Sequence, residues 1–368
     1  WRDWSSDVCS SDLYKYLGVL FSRSLTDSVH IDQVLSHKVS KLRGYVSSIL
    51  AKHEDINRVS FGNTIYKHVV LPSLLHGCGV WLETVTTSKR KLRTFQYNIA
   101  RTVLKVKASP AYIATIGDLG WLPLSLEADM RRIKYYHYLK YKAGEQRICK
   151  LVLDEMFSRF EQGRISSWPY CKEIQVILNY AGVDWAINAT DGSWLQKFHT
   201  LSKEAWNLDF LHQIESMSTL KMYTSFKTNF KMENYLLDVK DFRGAQCKFR
   251  ARTSTLGLNT DQNRWGTGDS ICSLCDSGEE DIFHVFFTCP TYGDLRQLYF
   301  AHIERYLAIH NVSFIWQHFM ASSLLTKLGY LMGDTAMQFG KSIFHVFDVA
   351  GRKFLKDALE RRTSYIIS

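Results

Sequence analysis

Over most of the chain, apolar residues return every three or four positions, and the stretches between them carry proline, glycine or short polar runs. That period marks amphipathic helices. Helical lengths are expected over 29–50, 59–70, 89–107, 126–142 and 146–160, with Pro72, Pro110 and Pro123 in the connections. Leu92, Phe95, Ile99, Val103 and Val106 share one stripe. Leu126, Met130, Ile133, His137 and Tyr141 share another, which makes His137 a core histidine rather than a ligand or base. A mixed stretch, 166–220, with a loop-like part at 184–193, reads as a connecting region. Leu295, Leu298, His302 and Tyr306, and then Ile343, Phe347, Ala350 and Phe354, give two later stripes. Residues 14–21 break the pattern: they are rich in strand formers around Gly18 and predict a terminal strand or hairpin limb. Residues 1–13, WRDWSSDVCSSDL, follow neither period and look like a translated sequencing adapter, so they and Cys9 are set aside. The fold class expected is mainly α with minor β, without internal repeats.

Composition narrows the setting. At 368 residues and 46% hydrophobic content, the chain can form two or three domains with real cores. It has no run of eighteen apolar residues and no charged-then-apolar leader, so neither a membrane span nor export is expected. Cys78, Cys149, Cys171 and Cys247 are too dispersed for a disulfide framework, which fits a reducing, intracellular compartment.

The formal charge of +10 directs attention to polyanionic partners, and its distribution sharpens that reading. From Thr84 to Lys107 there is no acidic residue. Arg90, Arg93, Arg101 and Lys105 would line the solvent face of that helix and could follow phosphates; a solvated surface is the bland alternative. Arg131, Tyr135, Tyr138 and Lys142 mix cations with aromatic rings on one face, and ring stacking is worth about 1–3 kcal/mol per base. Equally, those tyrosines could pack on a neighbouring helix. A third basic stretch, Lys240, Arg243, Lys248, Arg250, Arg252 and Arg264, interleaves Phe242, Phe249 and Trp265. It leads into a cysteine-rich knuckle and could clamp nucleic acid, while its aromatics cover the knuckle's underside.

That knuckle holds the most specific pattern in the chain. Cys272, Cys275, His284 and Cys289 have the spacing C-x2-C-x8-H-x4-C. Two thiolates from a tight turn, with an imidazole and a third thiolate from the helix-like run 281–288, can complete a tetrahedron about zinc. Four protein ligands leave no open position, so the ion would be structural. Asp281, one helical turn before His284, is the expected acceptor for the free imidazole N–H. Glu279, Glu280 and Asp281 read as helix N-terminal charge and outer-shell groups rather than as a magnesium site.

Several segments, in order, resemble the C-terminal part of LINE-type, non-LTR retrotransposon reverse transcriptases. They are Tyr16-Leu17-Gly18-Val19; Leu71-Pro72-Ser73-Leu74-Leu75-His76-Gly77 with Trp81; Leu119-Gly120-Trp121-Leu122-Pro123-Leu124; and the knuckle ending in Cys289-Pro290, followed by Tyr292 and Arg296. The resemblance implies the end of a polymerase palm at 14–24, a helical thumb-like domain at 25–160 and a connecting region at 161–239. A basic lead-in and zinc knuckle would occupy 240–295, with C-terminal helices at 296–368. It further implies a nucleic-acid partner, whether element RNA, target DNA or a hybrid duplex, no membrane partner, and residence in nucleus and cytoplasm. The family's Phe/Tyr-Ala-Asp-Asp motif does not occur here, so the RNA-directed DNA polymerase activity, with its magnesium, is expected of a palm this chain lacks, and no catalytic residue is assigned. The expected function is a nucleic-acid-binding fragment that does not polymerise alone. The alternatives are a zinc-stabilised protein-interaction module and a non-functional element remnant.

Overall fold

The computed structural model describes residues 13–16, 19–22, 30, 36–52, 57–80, 86–106, 110–163, 169–183, 193–237, 241–264 and 266–367. Cys9, Leu17, Gly18, Trp81, Lys107, Lys240 and Trp265, and the loop-like stretch up to 192, lie outside the described residues. Strands β1 (Leu13–Tyr16) and β2 (Val19–Ser22) pair antiparallel, with Leu13 opposite Ser22 and Tyr16 opposite Val19. Leu13, set aside with the leader, is therefore a strand residue. Otherwise the described chain is mainly α.

It divides into two compact units. One comprises Trp1–His53, Gly62–Val103 and Leu122–Asp209; the other comprises Glu54–Phe61, Leu104–Trp121 and Phe210–Ser368.

In the first unit, α1 (Ser36–Lys52) is followed by α2 (Arg58–Ile65), whose first turn belongs to the second unit. A π-helical turn, Tyr66–Val70, joins α2 to the short α3 (Leu71–Leu74). Pro72, expected in a connection, instead lies within α3, directly after the π turn. Then comes α4 (Thr86–Leu104), which buries Leu92, Ile99 and Val103 and leaves Arg90 and Arg93 exposed, as its stripe requires. It stops short of the expected Lys107 because Lys105 turns left-handed at φ +51°. A side chain at Gly62 would meet Val103 Cγ1 at 2.7 Å, so α2 and α4 approach closely only because that position is glycine. Gln96, fully buried, donates Nε2 to Tyr66 Oη and to the Leu122 carbonyl, both at 2.7 Å, and accepts the Leu124 amide at 3.3 Å.

Helices α6 (Leu124–Tyr141), α7 (Ile148–Glu161) and α8 (Pro169–Tyr180) complete this unit with the first part of α9 (Trp194–Ser216). His137 is buried and stacks on Trp194 at 5.3 Å, consistent with a core role. The mixed stretch thus holds two real helices. In α9 the buried Trp194, Phe198, Trp206, Phe210 and Ile214 are diluted by an exposed Leu208 and by scattered charge, which hides the period.

The second unit begins its sequence-remote packing with α5 (Tyr112–Leu119). Gly120 ends it at φ +63°, and a Cβ there would meet the Met232 amide nitrogen at 2.6 Å, so the Leu119-Gly120-Trp121 turn demands glycine twice over. After α10 (Lys221–Thr224), α11 (Phe242–Arg252) and α12 (Asn259–Arg264), the chain passes through the knuckle into α13 (Gly293–Ile309), α14 (Ser313–Ala321), α15 (Leu324–Met332) and the long α16 (Lys341–Ile367). The core joins Ile303, Leu307, Phe319, Tyr330, Phe347 and Phe354, each worth about 1.5–3 kcal/mol on burial. The stripe read for α16 is buried throughout. That read for α13 is out of phase: Leu298 is 60% exposed, and the buried row is Leu295, Ile303 and Leu307, flanked by Tyr299.

Candidate metal centre

The knuckle is built from backbone bonds before any side chain takes part. Ile271 and Glu279 form an isolated antiparallel bridge, the Cys272 amide donates to the Gly278 carbonyl at 2.8 Å, and the Asp276 amide donates to the Cys272 carbonyl at 2.9 Å. Asp276 closes the turn in the left-handed region at φ +51°, which aspartate tolerates better than most residues. The chain then re-enters a helical path at Ile282–Phe283 and widens into a π turn, His284–Thr288. Asp281 caps this start, accepting the His284 amide at 2.7 Å. Cys289 leaves the turn extended, and Pro290 starts a 3-10 turn that buries Tyr292.

These turns gather the four residues that the spacing singled out. One ligand atom from each of Cys272, Cys275, His284 and Cys289 lies within 4.8 Å of all the others, and His284 Nε2 is 3.2 Å from Cys275 Sγ. Ligands bonded to zinc at about 2.0–2.3 Å in a tetrahedron lie about 3.3–3.8 Å apart; the His284–Cys275 pair at 3.2 Å is near that spacing, and the 4.8 Å limit on the group as a whole is about an ångström wider. Cys272 and Cys289 are fully buried, His284 nearly so, and Cys275 is half-buried. The thiols differ in acidity. Burial pushes Cys272 up to about 12 and raises Cys289. For Cys275 burial works upward too, but hydrogen bonds from Ser277, His284 and Cys272 prevail and bring it down to about 6. The group can hold a metal ion through three sulfurs and one imidazole nitrogen.

The outer contacts correct one expectation. Asp281 does not receive the imidazole N–H; its Oδ1 accepts the His284 backbone amide. His284 Nδ1 instead meets Thr288 Oγ1 at 2.9 Å, one turn later on the same face. A threonine at i+4 from the histidine was readable from helical spacing. Two further supports were not. Arg296 donates Nε to the Phe286 carbonyl and Nη2 to the Cys289 carbonyl, both at 2.8 Å, tying the π turn to α13. Arg362, near the end of α16, donates to both oxygens of the fully buried Glu280 at 2.7 and 2.8 Å and to Asn259 Oδ1 at 2.8 Å. Glu280 is thus an ion-pair anchor, and the Glu280 carboxylate also accepts the Asn259 amide.

The residues expected to touch nucleic acid fare unequally. Arg90, Arg93, Lys105, Tyr138 and Lys142 are exposed, and Arg101, Arg131 and Tyr135 are half-buried. Tyr138 Oη accepts from Arg147 at 3.2 Å. Arg250 donates to the carbonyls of Thr255 and Leu256, closing the turn after α11. Arg252 must be withdrawn from the nucleic-acid face: it is 1% exposed, 2.8 Å from Glu233 and 3.5 Å from Asp118, with its guanidinium over the rings of Tyr223 and Tyr235. Lys248 is likewise buried, 2.7 Å from Asp348. The acids that neutralise these two cations come from α5, from the turn at Glu233 and from α16. A local count of positive charge therefore mistook core for surface.

Fold and centre together define a mainly α protein carrying a Cys3His group able to bind metal. It is similar to a putative 115 kDa protein in the type-1 retrotransposable element R1DM of Drosophila melanogaster, with 23% identity over 300 residues, covering 77% of this chain and 24% of that protein. It is also similar to a probable RNA-directed DNA polymerase from transposon X-element of Drosophila melanogaster, with 30% identity over 91 residues, 24% of this chain and 10% of that one. No family model and no solved structure matches. The chain spans about a quarter of the first relative's length and less of the second. It is a relative of LINE-type, non-LTR retrotransposon proteins, in line with the motifs read from its sequence. Among the described residues, no helix is long and apolar enough to cross a membrane.

Proposed function

We propose that this chain is a nucleic-acid-binding C-terminal part of a retrotransposon reverse transcriptase, with structural zinc on Cys272, Cys275, His284 and Cys289. In this reading 14–24 closes a palm, 25–160 forms the thumb, 161–239 connects, 240–295 carries the knuckle and 296–368 packs behind it. It binds element RNA, target DNA or their hybrid and does not polymerise alone. The observation that carries the reading is the gathering of the four metal-binding atoms in a chain related to retrotransposon proteins. Exposed Arg90, Arg93 and Lys142 supply cations for phosphate. Zinc supplies cross-linking of a loop with little core of its own; the residues around it set its orientation.

Two measurements test this. Metal analysis of purified protein is expected to find one zinc per chain. Fluorescence anisotropy with RNA, DNA and hybrid duplexes is expected to show binding that weakens steeply with salt, and Arg90→Glu, Arg93→Glu and Lys142→Glu together should abolish it. Absence of binding at low salt sinks the proposal. A second reading, a zinc-stabilised protein-interaction module, draws on exposed Ile148, Leu151 and Val152 of α7, of which Ile148 and Val152 line an open apolar cavity of about 650 Å³. Under it the charge reversals would leave partner binding unchanged.

A further inference from the structure

The four residues able to hold a metal are not equally sheltered. Cys272 and Cys289 have no solvent exposure and belong to the apolar core of the second unit with Val285, Phe286 and Tyr292. His284 is 8% exposed. Cys275 only packs against the outside of that core and stays half-buried, with its sulfur 3.0 Å from the Ser277 hydroxyl and 3.2 Å from His284 Nε2. A small reagent arriving from solvent therefore meets this sulfur before the other two. The chain is also bent back on itself here: the amides of Cys275 and Asp276 both donate to the Cys272 carbonyl, at 3.4 and 2.9 Å. That tight turn keeps the sulfurs of Cys272 and Cys275 within 4.8 Å of each other, in the C-x2-C arrangement that can close a disulfide. Cys289 is less free to move, because Arg296 ties its carbonyl to α13 at 2.8 Å.

We propose that Cys275 is a site of oxidation by peroxide and that Cys272 then closes a disulfide on it, opening the metal centre. The inference rests on the zinc reading above and adds the point at which the centre is open to chemistry. In the first step the Cys275 thiolate attacks one oxygen of the peroxide. An S–O bond forms, the O–O bond breaks and hydroxide leaves, so the sulfur gives up two electrons and becomes a sulfenic acid. In the second step the Cys272 thiolate attacks that sulfur; an S–S bond forms, the S–O bond breaks and a second hydroxide leaves. Solvent protonates both hydroxides to water. Cys289 and His284 then remain as two ligands in place of four, too few for a structural zinc site.

The test treats the full, zinc-loaded chain with hydrogen peroxide, follows zinc release with a chromogenic chelator and maps disulfides by mass spectrometry of unreduced peptides. Zinc is expected to appear in step with a disulfide between Cys272 and Cys275. With N-ethylmaleimide in place of peroxide, the first label should fall on Cys275 at least about tenfold more often than on Cys272 or Cys289, a comparison that needs no variant. Cys275→His keeps four ligands, two sulfurs and two imidazoles, and leaves only buried thiolates, so under peroxide it should release zinc at least about tenfold more slowly. A disulfide from Cys275 to Cys289 instead, equal first labelling of the three sulfurs, or release from Cys275→His at the native rate each overturns the proposal while the zinc reading stands. Absence of zinc from the purified native chain removes the zinc reading itself, and the oxidation site with it.

Discussion

Replacing Arg362 with methionine isolates the contact on which the knuckle's attachment depends. The guanidinium makes three hydrogen bonds of 2.7–2.8 Å, two of them to a carboxylate with no solvent exposure, and its own side chain is only 12% exposed. Methionine keeps most of the buried hydrocarbon and removes the charge. Glu280 would then remain buried with the Asn259 amide for company, and breaking a buried pair from one side costs about 3–5 kcal/mol. For a domain of this size each kcal/mol shifts the midpoint by about 2–4 °C, so a loss of roughly 6–20 °C is expected. Thermal unfolding tracked by circular dichroism at saturating zinc measures it. Glu280→Gln combined with Arg362→Met should recover much of the loss, since the lone buried charge is gone. A single-variant loss below about 1 kcal/mol, the scale of an exposed pair, would refute the assignment of Glu280 and Arg362 as a buried anchor.

The same geometry sets three other outcomes. Thr288→Val should weaken zinc affinity about 10- to 100-fold in chelator competition, whereas Asp281→Ala should cost about 1 kcal/mol of stability as a lost cap and change affinity less; the reverse ranking would restore the aspartate as the imidazole's partner. Gly120→Ala should destabilise by more than the roughly 1–2 kcal/mol of a left-handed residue alone, because the new methyl also meets the Met232 backbone, and denaturant titration reads the difference. Zinc binding at pH 7 should release about two protons, from Cys272 and Cys289, whose thiols burial holds up, while Cys275, brought down to about 6, is already largely ionised. Affinity therefore falls as pH drops, and calorimetry in buffers of different ionisation enthalpy counts the protons.

Much of the local structure was written in the sequence. The stripe of α4 puts Leu92, Ile99 and Val103 inside and Arg90 and Arg93 outside, and that of α16 runs from Ile343 to Phe354 without a phase error. The four residues able to hold a metal were singled out by spacing alone, since nearby turns bring them together. Where period and environment part, the sequence misled. Helix α9 buries widely spaced aromatics under a mixed surface, and α13 carries an exposed Leu298 where a stripe residue was expected.

The sequence by itself determined several of the helical segments and which three sulfurs and one imidazole meet, because those are short-range consequences of backbone geometry and residue period. Only the tertiary structure decided which charges are surface and which are core. Arg252 and Arg93 look alike in a row of basic residues. One is drawn inside by Asp118, far upstream in the chain, and by Glu233, while the other stays in water. Desolvating a guanidinium is unfavourable unless opposite charge is already waiting, and that condition is set by parts of the chain that meet only when it folds.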